Sequence, residues 1–115
     1  MATIAYKVLG QIAPGAMETS NTAYTVPAAN TAIISTINVC NQDSSNRAFS
    51  VAVVLSGENK SSPNTKNYIA YKTAIPSQDS IAMTVGVTLG ANDSIVVSSN
   101  GSYNLSYSIF GSEIY

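Results

Sequence analysis

The sequence predicts an all-β fold: a single antiparallel β-sandwich of about eight strands, in jelly-roll or Greek-key order. Three observations carry this. Short runs of β-branched residues alternate with period two, as strands do because successive side chains point to opposite faces. Nearly every run is closed by Gly, Pro, Asn, Asp or Ser, the residues that satisfy turn backbone locally. No segment repeats apolar residues at the helical spacing over three turns. Strands that are apolar on one face bury it by packing sheet on sheet.

The two strongest runs are Thr31–Asn41, TAIISTINVCN, and Phe49–Ser56, FSVAVVLS. Strict alternation places Ile33, Ser35, Ile37 and Val39 on one face of the first, with Ile34, Thr36, Asn38 and Cys40 opposite. In the second it groups Phe49, Val51, Val53 and Leu55 against Ser50, Ala52, Val54 and Ser56. Ahead of these, the Ile4–Ile12 run is broken at Gly10 and Pro14-Gly15, which reads as an edge strand or an ordered arm over residues 1–12. Ala23–Val26 is a short strand stopped by Pro27, which has no amide to donate.

Between the two strong strands, NQDSSN over 41–46 is a hairpin signal. After Leu55 comes the longest polar tract, Ser56–Asn67, SGENKSSPNTKN, either an exposed functional loop or a solvated tip. Tyr68–Ile75 alternates Ile69, Tyr71 and Thr73 with Tyr68, Ala70 and Lys72. Ser80–Leu89 carries Ile81, Met83, Val85, Val87 and Leu89 on one side, with Gly86 marking a bend or a close backbone approach. Ile95–Ser98 leads to Asn100-Gly101, the dipeptide favoured in a type I′ hairpin turn. Tyr103, Leu105, Tyr107 and Ile109 line the last strand, and Gly111–Tyr115 reads as a short tail.

Length and composition agree with one domain over 1–115, large enough to form a core without covalent staples. Only 10% of residues are charged, against a usual ~25%. The net charge is −1 and no basic cluster exists, so affinity for nucleic acid or an anionic membrane is not expected. In place of charge the chain carries 17 Ser, 10 Thr and 11 Asn. Such a polar, nearly neutral surface resists association poorly. It suits a protein that stays packed against something. No secretory signal pattern or membrane-length apolar stretch is visible, and the Asn-X-Ser triplets read as by-products of the composition.

Chemistry is hard to find. Cys40 has no second cysteine to pair with, and with no His in the chain it reads as a small apolar strand residue. A Ser/His or Cys/His nucleophile is excluded for the same reason. The six acids, Glu18, Asp43, Glu58, Asp79, Asp93 and Glu113, fall in turns or tails and read as solvated. No phosphate-binding, dinucleotide or calcium-loop spacing occurs. The expectation is a protein that is not an enzyme, with no metal, no cofactor and no small-molecule substrate. The seven tyrosines raise one alternative, since Tyr103 and Tyr107 share a face that Tyr71 joins across the sheet, a stacking platform or simply core.

The chain resembles a family of small virion structural proteins from tailed phages that infect cyanobacteria. Four blocks carry the resemblance: AYKVLGQIAPGA, YTVPAANTAIISTINVCNQ, YIAYKTAIPSQDSIAMTVGVTLGANDSIVVSS and SYNLSYSIFGSEI. It implies a role in assembly, first as a capsid cement or decoration protein and second as a tail, fibre or neck component. The expected partners are further copies of the chain, in a dimer or trimer, and the major capsid protein. The expected location is the virion, after assembly in the host cytoplasm. Candidate interaction residues are Ile4, Tyr6 and Val8 on the first strand, and Glu58, Lys60 and Lys66 in the long loop. A carbohydrate-binding module using tyrosines and that loop for host attachment is the reading from a different class.

Overall fold

Period-two runs fold where expected. The computed structural model describes residues 2–115, so position 1 of the expected arm lies outside them. Among these residues are eight strands: β1 Ile4–Ile12, β2 Asn21–Thr25, β3 Thr31–Asn41, β4 Arg47–Val54, β5 Tyr68–Ile75, β6 Ser80–Leu89, β7 Ser94–Ser99 and β8 Leu105–Ile114. One 3₁₀ turn, Thr65–Asn67, precedes β5. The strands form two four-stranded antiparallel sheets, in the orders β1-β8-β3-β6 and β2-β7-β4-β5.

That order decides between the two expected topologies. Every connection crosses from one sheet to the other except β4 to β5. This interleaving is the jelly roll. Two expected hairpins are therefore corrected. The 41–46 turn joins β3 and β4 across the sandwich, and the Asn100-Gly101 segment joins β7 to β8 in the opposite sheet. Neither Asn100 nor Gly101 has the positive φ that a type I′ turn requires. Turn-forming residues report that the chain reverses; they carry no information on which sheet the next strand joins. The first crossover is anchored by Asn41, whose buried amide donates to the carbonyls of Ser45, Ile75 and Pro76.

The core lies between the sheets. Ile34, Ile37, Val39, Leu89, Leu105, Tyr107 and Ile109 from the first sheet meet Tyr24, Phe49, Val51, Ile75, Ile95 and Val97 from the second. The rings of Phe49 and Tyr107 pack edge to face at 6.4 Å, a preferred aromatic arrangement.

Strict alternation fails at one place in β3. The register slips between Ile34 and Thr36 against both neighbours. Ser35 is the extra residue against β8, while against β6 the extra residue lies on β6, at Val85 and Gly86. The bulge at Ser35 reverses which face later β3 residues occupy. Ile34 is therefore buried, and Ile33, which strict alternation puts on the face of Ile37 and Val39, points outward at 39% exposure. Cys40 is half-buried on the outer side of β3. In β4 both faces are covered, since Ala52 and Val54 meet Val96 and Tyr68 in a small outer cluster. Leu55, grouped by alternation on the face of Phe49, lies beyond the strand end and is exposed.

Two glycines expected to end strands are crossed by them. At Gly10 an added Cβ would collide with the Ala23 carbonyl, and at Gly111 with the Ile33 carbonyl. Both positions keep the strand because no side chain stands in the way of the neighbouring backbone. The residues after Gly111 are consequently not a tail, and β8 continues to Ile114. Gly86 has φ +60 and open space around it, and it lies where β6 sets two residues, Val85 and Gly86, against Ser35 of β3, so it marks a bulge.

Candidate functional site

The two outer faces of the sandwich differ in chemistry. On the first sheet, β1 is an edge strand paired only with β8. Ahead of the register slip that follows Val8, its even-numbered residues point outward: Ile4, Tyr6 and Val8 are 52%, 82% and 49% exposed. They stand opposite Ile114, Ser112 and Phe110 of β8. Ile33, turned outward by the Ser35 bulge, completes a shallow apolar depression of about 500 Å³ with Ile4, Tyr6, Phe110 and Ile114. The three candidates on the first strand thus share one surface with residues that alternation had assigned elsewhere. The signal that finds them is the bulge, which is not written in the residue types of β3.

The odd-numbered side of β1 does something else. Lys7 reaches from the edge to Glu113, with Nζ 2.8 Å from Oε1. The Tyr24 hydroxyl donates to Oε2 of the same carboxylate at 2.5 Å. Glu113, expected in a solvated tail, is 5% exposed. The correction follows from the strand extension, because continuing β8 past Gly111 gives position 113 an inward side chain. The Lys7 ammonium, then the Tyr24 hydroxyl, hold the Glu113 carboxyl below the usual carboxylate range. The carboxylate in turn raises Lys7. Burial, reinforced by Glu113, pushes the Tyr24 phenol well above its ordinary value. With both oxygens engaged, this carboxylate is a clamp between sheets.

The loop candidates lie elsewhere, between β4 and β5 of the second sheet. Glu58 Oε1 accepts from the Leu55 amide and from Asn67 Nδ2, each at 3.0 Å, and Oε2 meets Lys66 Nζ at 2.5 Å. Lys66 above all, with those two donors, holds Glu58 down at about 2. Asn67 also donates to the Val53 carbonyl and accepts from the Asn64 amide. Glu58 and Lys66 are therefore engaged in fastening the loop itself, while Lys60 is half-buried within it.

Of the two readings of Tyr71, Tyr103 and Tyr107, the stacking platform is not assembled. Tyr107 is fully buried, and Tyr103 sits in the β7–β8 connection against Gly15. A different pair comes together: Tyr68 and Tyr71 lie edge to face at 4.8 Å. Two register slips opposite Phe49–Ala52 insert extra residues into β5. They break the alternation that would otherwise send positions 68 and 71 to opposite faces. This pair borders a cleft of about 280 Å³ on the outer face of the second sheet, floored by Ala48, Ser50 and Ser98. Glu18 and Ser20 stand on the other side.

Among the described residues no cluster of His, Cys, Asp and Glu could hold a metal ion. No helix there is long and apolar enough to cross a membrane. No protein-family model and no curated protein sequence matches the chain. Solved structures do. The structure of infectious bursal disease virus Gx strain aligns with a TM-score of 0.50 at 12% identity, covering 99% of this chain and 32% of that one. The acid-stable capsid structure of Helicobacter pylori bacteriophage KHP30 aligns at 0.48 and 13% identity, covering 100% and 94%. The infectious bursal disease virus VP2 subviral particle gives 0.48 and 12%, covering 98% and 32%. The chain spans about a third of the bursal disease virus chains it matches. At such identities the likeness concerns architecture, and the chain shares the sandwich fold of a viral structure.

Proposed function

We propose that the chain is a non-enzymatic virion structural subunit, a cement or decoration protein that oligomerises on the outside of a phage head. The observation that carries this reading is the outer face of β1, β8 and β3. Ile4, Tyr6 and Ile33 stand exposed around one depression, and Val8 is exposed beside it, opposite Phe110. Contiguous exposed apolar area on a folded chain marks an interaction surface. The jelly-roll topology, common in capsid domains, and the resemblance to phage virion proteins support the same reading. The partners are further copies of the chain and the major capsid protein, and the location is the virion.

Attachment then rests on many copies, each bound weakly through this face, so that multivalency supplies the strength. Residues 4–12 are not a free arm, because they pair with β8 along their length and hold Glu113 through Lys7. Deleting them would damage the fold, so point substitutions on the outward face are the better probe. Shells assembled with the protein should survive heat or low salt better than shells without it. The Tyr6→Ser and Ile33→Ser variants should lose that protection while melting within roughly 0.5 kcal/mol of the parent. Equal robustness of bare shells, with the protein recovered only on purified tails, would replace the cement reading with the tail, fibre or neck one.

A further inference from the structure

The outer face of the second sheet carries a second surface, of a different kind. Its cleft has a floor of small side chains, Ala48, Ser50 and Ser98, one from β7 and two from β4. Tyr68, Tyr71 and Lys72 form one wall and Glu18 with Ser20 the other. On the far side of the same tyrosine pair lies another depression, of about 460 Å³, bordered by Pro63 and Thr65. The two hollows with an aromatic divider make a track across the sheet. Such a track suits a ligand longer than one ring.

We infer that this track binds a neutral polysaccharide, with a pyranose ring stacked on Tyr71 and its hydroxyls read by Glu18, Ser20, Ser98 and Lys72. The chemistry of the walls selects that class. Tyr71 is 61% exposed, and its ring is braced edge to face by Tyr68 with Lys72 Nζ over one face, 5.5 Å from the centroid. A rigid aromatic face in water offers stacking area at low conformational cost. Around it stand a carboxylate that only accepts, an ammonium that only donates, and hydroxyls that do both. That mixture matches neighbouring sugar hydroxyls. A nucleic acid would meet one cation facing one carboxylate, too little positive charge for a phosphate chain.

Backbone geometry adds an independent observation. Glu18 and Lys72, on opposite walls, hold φ values of 57° and 46°. Residues other than glycine rarely occupy this region, and where they do the surroundings must hold them. Here the Glu18 amide donates to the Ser99 carbonyl at 2.7 Å and the Lys72 amide to Ser50 Oγ at 2.9 Å. Both wall residues are thereby fastened by their backbone to the strands of the floor, so the points from which the polar side chains project are set before a ligand arrives.

The test is electrophoresis of the folded protein through gels containing dextran, galactomannan, xylan or the acidic polymer alginate. At least one neutral polymer should retard the protein, with little effect of added salt. Tyr71→Ala should weaken that retardation by roughly tenfold or more, the loss of one stacked ring. Glu18→Gln should weaken it while leaving the melting temperature unchanged. The inference is overturned if no neutral polymer retards the protein, or if both variants bind like the parent. Retardation by alginate alone, abolished by salt, would also overturn it.

Discussion

Tyr24 of β2 and Glu113 of β8 are 89 positions apart in the chain and joined by a 2.5 Å hydrogen bond across the sandwich. The phenol donates to one carboxylate oxygen while Lys7 of the edge strand holds the other. Three strands from two sheets thus meet at one buried acid.

Removing the phenol should therefore destabilise more than removing the amine. Tyr24→Phe strips a buried carboxylate of a donor, which costs roughly 1–3 kcal/mol. The side chain of Lys7 is half in water, so in Lys7→Ala solvent replaces much of what is lost, as at exposed ion pairs. Urea midpoints of the two variants measure the order. A Tyr24→Phe protein as stable as the parent would show that the clamp contributes nothing.

Stability should fall on the acid side, and the sign follows from the shifts. Glu113, Glu58 and Asp43 are each held below their ordinary values, Asp43 by Arg47 above all. Across that window the unfolded chain binds more protons than the folded one, so acid favours unfolding. Their contribution is complete above the ordinary glutamate value of 4.5 and fades as pH falls through the folded values, about 2 for Glu58. Thermal scans should show a midpoint that is level near neutrality and drops below about pH 4.5. The drop should be shallower in Glu113→Gln; an unchanged slope there would exclude this acid as its source. Lys7 acts in the opposite direction, with its raised value giving support that is lost as pH climbs past 10.5.

Cavities should separate residues that alternation treats alike. Val51 is fully buried, and Val85 is half-exposed on β6, at the sheet edge. Val51→Ala should cost roughly 1–4 kcal/mol, because lost contacts and an unfilled hole add together. Val85→Ala should cost clearly less, since water already reaches the site. Equal losses by denaturant melting would contradict the edge position of β6.

Much of the architecture was legible in the residues. Period two in the runs around Ile37, Val51, Met83 and Tyr107 dictates strands, because a strand has no other way to put apolar side chains on one side. The low charge and the outward apolar set Ile4, Tyr6 and Val8 are likewise properties of the chain alone. Tertiary structure decided the rest. Asn and Gly mark where the backbone reverses, but which sheet receives the next strand depends on pairing with residues far along the chain. The loops at 41–46 and 100–104 are for that reason crossovers. Bulges have the same origin, since the extra residue at Ser35 exists only relative to the register of β8, and it turns Ile33 outward. Glu113 is buried because Gly111 lets β8 run close beside the Ile33 carbonyl. The Tyr68–Tyr71 pair forms because β5 slips twice against β4. Local preference decides which residues extend; long-range registry decides which way each side chain faces.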